Sequence, residues 1–308
     1  MLWATSMESS AYHIPVLLHD AVEGLAINPN GVYVDVTFGG GGHSREILKH
    51  LDKGKLIAFD QDEDAQNNLI DDERFVFVPN NFSYLKNFLK VLGHPKVDGI
   101  LADLGVSSHQ FDVGDRGFTI RENAPLDMRM NKSATLSAHQ VVNEYPVNNL
   151  SKIFREYADL SNAHKISYAI DKKRALAPIN STQELMQCIE HLSGGAKKSN
   201  QFFARVFQAL RIEVNQEMEV LKTFLTHAEE CLKPQGRLVV ISYHSLEDRL
   251  VKNFIRKGKF EGEVEKDFYG NPLINFKDLT RKPIIASEKE IEKNNRARSA
   301  KLRIAEKL

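Results

Sequence analysis

Three aspartates stand at or near the ends of short, apolar, β-branched runs. Asp35 lies in Val32-Tyr33-Val34-Asp35-Val36, Asp60 closes Lys55-Leu56-Ile57-Ala58-Phe59-Asp60, and Asp103 closes Val97-Asp98-Gly99-Ile100-Leu101-Ala102-Asp103. The first run leads into Gly39-Gly40-Gly41-Gly42-His43-Ser44. Successive glycines disfavour both helix and strand, because they carry the largest ordering entropy and no side chain to pack. Bare backbone N–H groups followed by a helix N-terminus instead suit close approach by a nucleotide. Asp60 falls near the ~20-residue offset at which a strand-end acid takes ribose hydroxyls. Such charge-assisted bonds are worth roughly 1.5–3 kcal/mol each where water is excluded. The competing role for Asp60 is a cap on a helix over 63–70. Phe82, at a strand-to-helix turn, is placed either to cover an adenine or to staple the next helix. His244, just past a strand, is equally open to an active-site role and to that of a satisfied structural histidine.

The elements that must position these groups follow from periodicity. Val32–Val36, Lys55–Asp60, Phe75–Pro79 and Val97–Asp103 read as strands buried on both faces, alternating with amphipathic helices. That alternation predicts a mostly parallel sheet with helices on both faces, its ligands beyond the carboxyl ends of the strands. After Leu104 comes a long irregular loop carrying Gln110, Arg116, Arg121, Asp127, Arg129 and Asn131. A loop of that length at a ligand edge is usually functional. Residues 135–192 are helical in every segment, and 193–200 read as an exit linker. A long helix is expected from about Phe202 to Leu232, its core stripe broken once. Arg237–Tyr243 returns to the sheet, and Ser245 with Asp248 is spaced as a capping box. Residues 281–308 hold nine lysines and arginines against four glutamates, a solvated face or a phosphate-binding tail.

Composition narrows the classes. The chain has 308 residues, enough for one large domain or one with a second grafted on. Its 41 basic residues balance 41 acidic ones, so nucleic-acid affinity must come from local patches. Cys188 and Cys231 lie far apart in helical stretches, which argues against a disulfide framework or thiolate metal site and suits a reducing compartment. No metal-ligand cluster stands out. No apolar run approaches the ~18 residues of a membrane span. Residues 1–10 have neither the charge nor the apolar core of a signal peptide, so a cytoplasmic location is expected.

Taken jointly, seven segments resemble the bacterial 16S ribosomal RNA cytosine-N4 methyltransferases, the RsmH/MraW family. They are His13-Ile14-Pro15-Val16-Leu17-Leu18, Gly41-Gly42-His43-Ser44, Asp103-Leu104-Gly105-Val106-Ser107-Ser108, Pro125-Leu126-Asp127-Met128-Arg129-Met130, Phe207-Gln208-Ala209-Leu210-Arg211-Ile212, His244-Ser245-Leu246-Glu247-Asp248-Arg249 and Arg296-Ala297-Arg298-Ser299-Ala300-Lys301-Leu302-Arg303. The resemblance implies a class I, Rossmann-like S-adenosylmethionine-dependent methyltransferase with an inserted all-helical subdomain, acting on a cytidine N4 at the small-subunit decoding centre. The expected organisation is a methyltransferase domain in two parts, 1–110 and 201–308, the second with a basic tail. An inserted loop and helical substrate-recognition subdomain, 111–200, separates them. Carried over by motif, cofactor contacts fall on Gly41, Gly42, His43, Asp60, Phe82, Asp103 and Gln110. The sequence departs from the family pattern at Asp20 (for Glu), Tyr243 (for Phe) and Tyr157-Ala158-Asp159-Leu160 (for Tyr-Gly-Glu-Glu).

Methyl transfer to a delocalised amine needs alignment, and acceptors for the positive charge that appears on nitrogen. Asp103 and His244 are the candidate catalytic groups, with cofactor orientation the alternative role for Asp103. Arg116, Arg121 and Arg129 on the loop, and Arg296, Arg298, Lys301 and Arg303 on the tail, are candidates for RNA phosphates. The expected partner is 16S rRNA within the small subunit, with no membrane and a homodimer as a possible assembly. A nicotinamide-dependent oxidoreductase would share the sheet and the ribose acid but would show G-x-G-x-x-G, whereas Arg45 stands where its last glycine belongs. A non-catalytic RNA-binding module would leave the nucleotide crevice unexplained. A related enzyme acting on DNA or protein amines is the remaining rival.

Overall fold

The computed structural model describes residues 15–105 and 116–308. Seven strands form one sheet: β1 Val32–Asp35, β2 Lys55–Phe59, β3 Phe75–Val78, β4 Val97–Asp103, β5 Leu232–Ser242, β6 Phe276–Asp278 and β7 Lys301–Lys307. Their order is β3-β2-β1-β4-β5-β7-β6. β1 to β5 pair in parallel, and β7 runs antiparallel to both β5 and β6. The chain winds outward from β1 to β3 and then restarts at β4 on the other side of β1. The crevice beyond the ends of β1 and β4 is therefore the topological switch point, where open α/β sheets take their ligands. The expected fold, a mostly parallel Rossmann-like sheet with an inserted helical region, is the one the chain adopts.

Helices α1 (Leu18–Gly24) and α2 (Gly42–Lys49) share one face of the sheet with Leu56, Leu101, Val239 and Leu302. Helices α3 (Leu85–Val91), α9 (Glu217–Cys231) and α10 (Ser245–Lys257) cover the other, over Ile57, Ile100 and Val240. A second core is built by α4 (Ala138–Glu144), α5 (Val147–Ala158), α6 (Ala163–Arg174), α7 (Thr182–Ile189) and α8 (Ala196–Asn215). No described helix is long and apolar enough to cross a membrane.

Several expectations are corrected. The single helix expected over 202–232 is two, α8 and α9, broken at Gln216 with φ 49°. The break falls where the apolar stripe changes cores: Phe203 to Val214 pack in the helical core, whereas Met218 to Ala228 pack on the sheet. Asn215, at the end of α8, ties down the loop by accepting from Met130 N (2.8 Å) and donating to the Met128 carbonyl (2.8 Å). Helix rather than linker occupies most of 193–200, since α8 starts at Ala196. The helix expected over 63–70 is a 3-10 helix, Glu63–Asn68, capped by Asp62. The box opening α10 is formed by His244 and Glu247, not Ser245 and Asp248. The basic tail is not a solvated face throughout: its end is β7, inserted between β5 and β6 with Leu302 and Ala305 fully buried.

Candidate active site

β1 delivers Asp35 to the switch point, and Val36-Thr37-Phe38 lead from it into the glycine turn. Buried Asp35 accepts from Ser44 Oγ (2.7 Å) and from Thr37 N (3.1 Å), which fastens the first turn of α2 to the strand end. Burial raises its carboxyl above the ordinary range, against the pull of those bonds. Gly41 caps α2 at φ +73°, and a Cβ on Gly42 would stand 2.1 Å from Pro15 Cγ. Gly40 has open space where a Cβ would project. The loop thus packs through Gly42 and stays bare at Gly40, as a backbone cradle for a ligand requires.

Asp60 follows β2. Its Oδ2 accepts from Gly39 N (2.7 Å) and its Oδ1 from Asp62 N (2.9 Å). Since Asp62 caps the following 3-10 helix, Asp60 is free of that role. Burial pushes its carboxyl up to about 6, against those two backbone donors. A carboxylate short of donors, with lone pairs remaining on both oxygens, fits the two hydroxyls of a cofactor ribose. Phe82 packs edge-on against Phe224 of α9, 5.3 Å between centroids, and lines a cavity of about 40 Å³. Thr37, Gln61, Asn81, Gly105, Glu217 and Glu247 also line this cleft.

Asp103 ends β4 beside β1. Its backbone N–H donates to Thr37 Oγ1 (2.7 Å), and its Oδ1 accepts from the Tyr243 hydroxyl (2.7 Å) at the end of β5. Its Oδ2 lies 3.9 Å from His43 Nδ1. His43 Nε2 is 3.1 Å from the Val16 carbonyl. A carbonyl can only accept, so the hydrogen sits on Nε2 and the Nδ1 lone pair faces Asp103. Burial holds His43 below the ordinary imidazole range despite the Asp103 carboxylate, which favours the neutral ring. Burial also pushes Asp103 up to about 6; His43 and the Tyr243 hydroxyl pull it down, while Asp35 and Glu247 push it further up. Tyr243 is raised well above its ordinary value, by burial first and then by Asp103.

His244 is placed differently from the expectation of a group facing the substrate. It caps α10, and its ring, 9% exposed, turns to Glu247. Burial alone would raise Glu247, but His244, the Tyr243 N–H and Arg211 together hold its carboxyl below the usual range.

The RNA candidates divide. Arg116 is buried, donating to Asp62 (2.7 Å) and to the Met130 carbonyl (2.9 Å), so its charge is spent inside the protein. Arg303, 4% exposed, donates to Asp248 (2.6 Å) and is likewise withdrawn. Arg129 is partly buried in a two-pronged pair with Asp127. Lys301 lies 3.5 Å from Asp248. Arg296 is half-buried, while Arg121 and Arg298 are exposed. Gln110, with the His13-Ile14 and Val106-Ser107-Ser108 parts of two motifs, lies outside the described residues.

The sequence profile of the MraW methylase family matches residues 10–308. The chain belongs to that family. The ribosomal RNA small subunit methyltransferase H of Christiangramia forsetii is 57% identical over 298 residues, 96% of this chain and 98% of that protein. Its namesake from Flavobacterium johnsoniae is 56% identical over 305 residues, 99% of each chain. Among solved structures, an rRNA methylase from Streptococcus thermophilus aligns over 96% of this chain and 99% of its own. Identity there is 12% and the TM-score 0.43, too loose to argue from. Sequence reasoning missed Glu217, Glu247 and Arg211, although the His244/Glu247 spacing at a helix start was visible, and noted Tyr243 only as a departure.

Proposed function

We propose that this protein transfers a methyl group from S-adenosylmethionine to the exocyclic N4 of a cytidine in 16S ribosomal RNA. The observation that supports this most is Asp103. It is a strand-end carboxylate at the switch point, oriented on one oxygen by Tyr243 and facing neutral His43 with the other.

The cofactor, when bound, supplies a methyl group on a sulfonium sulfur. Gly40, Gly41, Gly42 and Asp60 are the groups that hold it, the glycines by backbone approach and Asp60 through the ribose; Phe82 lines the adjoining cleft. The chain's own chemistry is directed at the amine. Cytosine N4 is a poor nucleophile because its lone pair is delocalised, and an acceptor on its hydrogens localises that pair. Asp103 is that acceptor. A carboxyl near 6 is ionised at neutral pH, yet basic enough to take the proton released by the methylated nitrogen. The His43 Nδ1 lone pair, 3.9 Å away, is the next acceptor in line. His244 acts as a positioning residue, through Glu247 in the cleft wall.

Reaching the base requires unstacking it, at a few kcal/mol, least where the strand is already single. Exposed Arg121 and Arg298 are the groups that hold flanking phosphates. We place the target at the decoding centre within the small subunit, the reaction in the cytoplasm, and substrate recognition on residues 111–200. The deciding experiment is mass mapping of methylated cytidines in ribosomal RNA from cells with and without the gene, followed by restoration with the purified chain. Identical maps would end the proposal.

A further inference from the structure

Two side-chain amides meet in the wall of the cleft, and a backbone N–H fixes which way each of them points. Asn81 Oδ1 accepts from the Ser83 N–H (2.8 Å), capping the 3-10 helix Phe82–Tyr84. A backbone N–H can only donate, so the Asn81 atom facing it is the oxygen and the other is the NH2 group. Asn81 Nδ2 in turn donates to Gln61 Oε1 at 2.7 Å. Gln61 is therefore oriented as well: its carbonyl faces Asn81, and its NH2 group faces the Met130 thioether, 3.5 Å away. Turning the Gln61 amide over would set its NH2 group against that of Asn81, donor against donor. The pair has capacity to spare. Among the described residues, Gln61 Oε1 keeps a second lone pair and Asn81 Nδ2 a second hydrogen, while Gln61 Nε2 spends a hydrogen on a weak sulfur acceptor. Gln61, Asn81, Phe82 and Met130 all line the cleft.

We propose that Gln61 and Asn81 read the base of the cofactor and select adenine. The inference rests on the methyltransferase reading, which puts the cofactor ribose on Asp60, one residue before Gln61. An adenine carried by that ribose presents an amine donor beside a ring-nitrogen acceptor. Gln61 Oε1 accepts from the amine and a neighbouring NH2 group donates to the ring nitrogen, the two-pronged match that a carboxamide makes with adenine. The contact given up is the one between Gln61 and Met130, the weakest of the set, and an unbranched thioether moves aside readily. Hypoxanthine puts a carbonyl oxygen where the adenine amine stands. That oxygen meets Gln61 Oε1, acceptor against acceptor. The chain from Ser83 through Asn81 holds the Gln61 amide in one sense, so it does not turn to suit the wrong base.

The test is calorimetric titration of the full-length protein with S-adenosylhomocysteine and with S-inosylhomocysteine, the same molecule carrying hypoxanthine. No RNA is added and no methyl group is transferred. The wild type is expected to bind the adenine compound about ten-fold tighter or more, since one hydrogen bond is lost and two acceptors are left facing each other. Gln61→Leu keeps the volume and removes both amide groups, which should bring the two compounds within about three-fold of each other. Asn81→Asp keeps the cap on Ser83 but puts an acceptor where the NH2 group stood. The Gln61 amide then turns over, and preference should move about ten-fold toward hypoxanthine relative to the wild type. Equal binding of the two compounds by the wild type overturns the inference and leaves the cofactor reading standing. So does wild-type discrimination in either variant. A wild type that binds neither compound overturns both together.

Discussion

Tyr243→Phe removes one hydroxyl and leaves the ring in place, so it isolates what that hydroxyl does to Asp103. The bond is 2.7 Å long, and its acceptor is 23% exposed at the side chain. A hydrogen bond to a charged group contributes roughly 1.5–3 kcal/mol, about twice a neutral one. About half of it, ~1.4 kcal/mol, therefore depends on the carboxyl being ionised, which is about one pK unit. The groups facing Asp103 are His43 from α2, Asp35 from β1, Tyr243 from the end of β5 and Glu247 from α10; only the Tyr243 contribution changes. Losing a donor that favours the charged form raises the carboxyl, from about 6 toward roughly 7. If ionised Asp103 accepts from the amine, the acid limb of kcat/KM against pH must move upward by that amount. Turnover then falls about three-fold at pH 6.5 and hardly at all at pH 8.5. The assay is methyl transfer to a cytidine-containing RNA from pH 5.5 to 9, with cofactor affinity measured alongside. An acid limb that stays put or moves down, or a loss equal at all pH values, would refute the role given to Asp103.

Cofactor affinity should itself depend on pH through Asp60. Ribose hydroxyls donate to the ionised carboxyl, which burial pushes up to about 6, so binding should tighten as pH rises through that value. Calorimetric titrations flat from pH 5 to 7.5 would detach Asp60 from the ribose. Arg116→Met breaks the buried ion pair with Asp62 and should cost about 3–5 kcal/mol in urea unfolding. RNA affinity of the folded variant should hold, and the reverse pattern would restore Arg116 to the RNA surface. Arg298→Ala, at an exposed position, should weaken RNA binding and lower the salt slope by about one without touching cofactor affinity.

What the sequence could disclose depended on the range of the physics involved. The four parallel strands, the glycine turn and the three aspartates are local patterns, and each was legible within a window of about ten residues. Asp60 could be separated from its capping role only in three dimensions, because Asp62 is the residue that caps. Tyr243 and Asp103 are 140 positions apart and meet only because β5 lies beside β4. Glu217 reaches Glu247 and His244 because the stripe over 202–232 serves two cores and must break between them. No periodicity count contains that information, since each half of the stripe is regular on its own.

The basic C-terminus shows how a composition argument can fail and still lead back to the site. Counted along the chain, residues 281–308 are a cationic run. In the sheet, Arg303 lies on β7 beside β5, where its guanidinium is closed over by α10 and accepted by Asp248 at 2.6 Å. Lys301 approaches the other oxygen of the same carboxylate at 3.5 Å. Both oxygens of Asp248, one residue past Glu247, are thus held by β7. Two positions expected to grip RNA instead fix the first turn of α10 against the sheet. That turn carries His244 and Glu247, so the tail acts on the cleft by positioning rather than by contact. Only the exposed face of the segment, with Arg298, remains available to a polyanion.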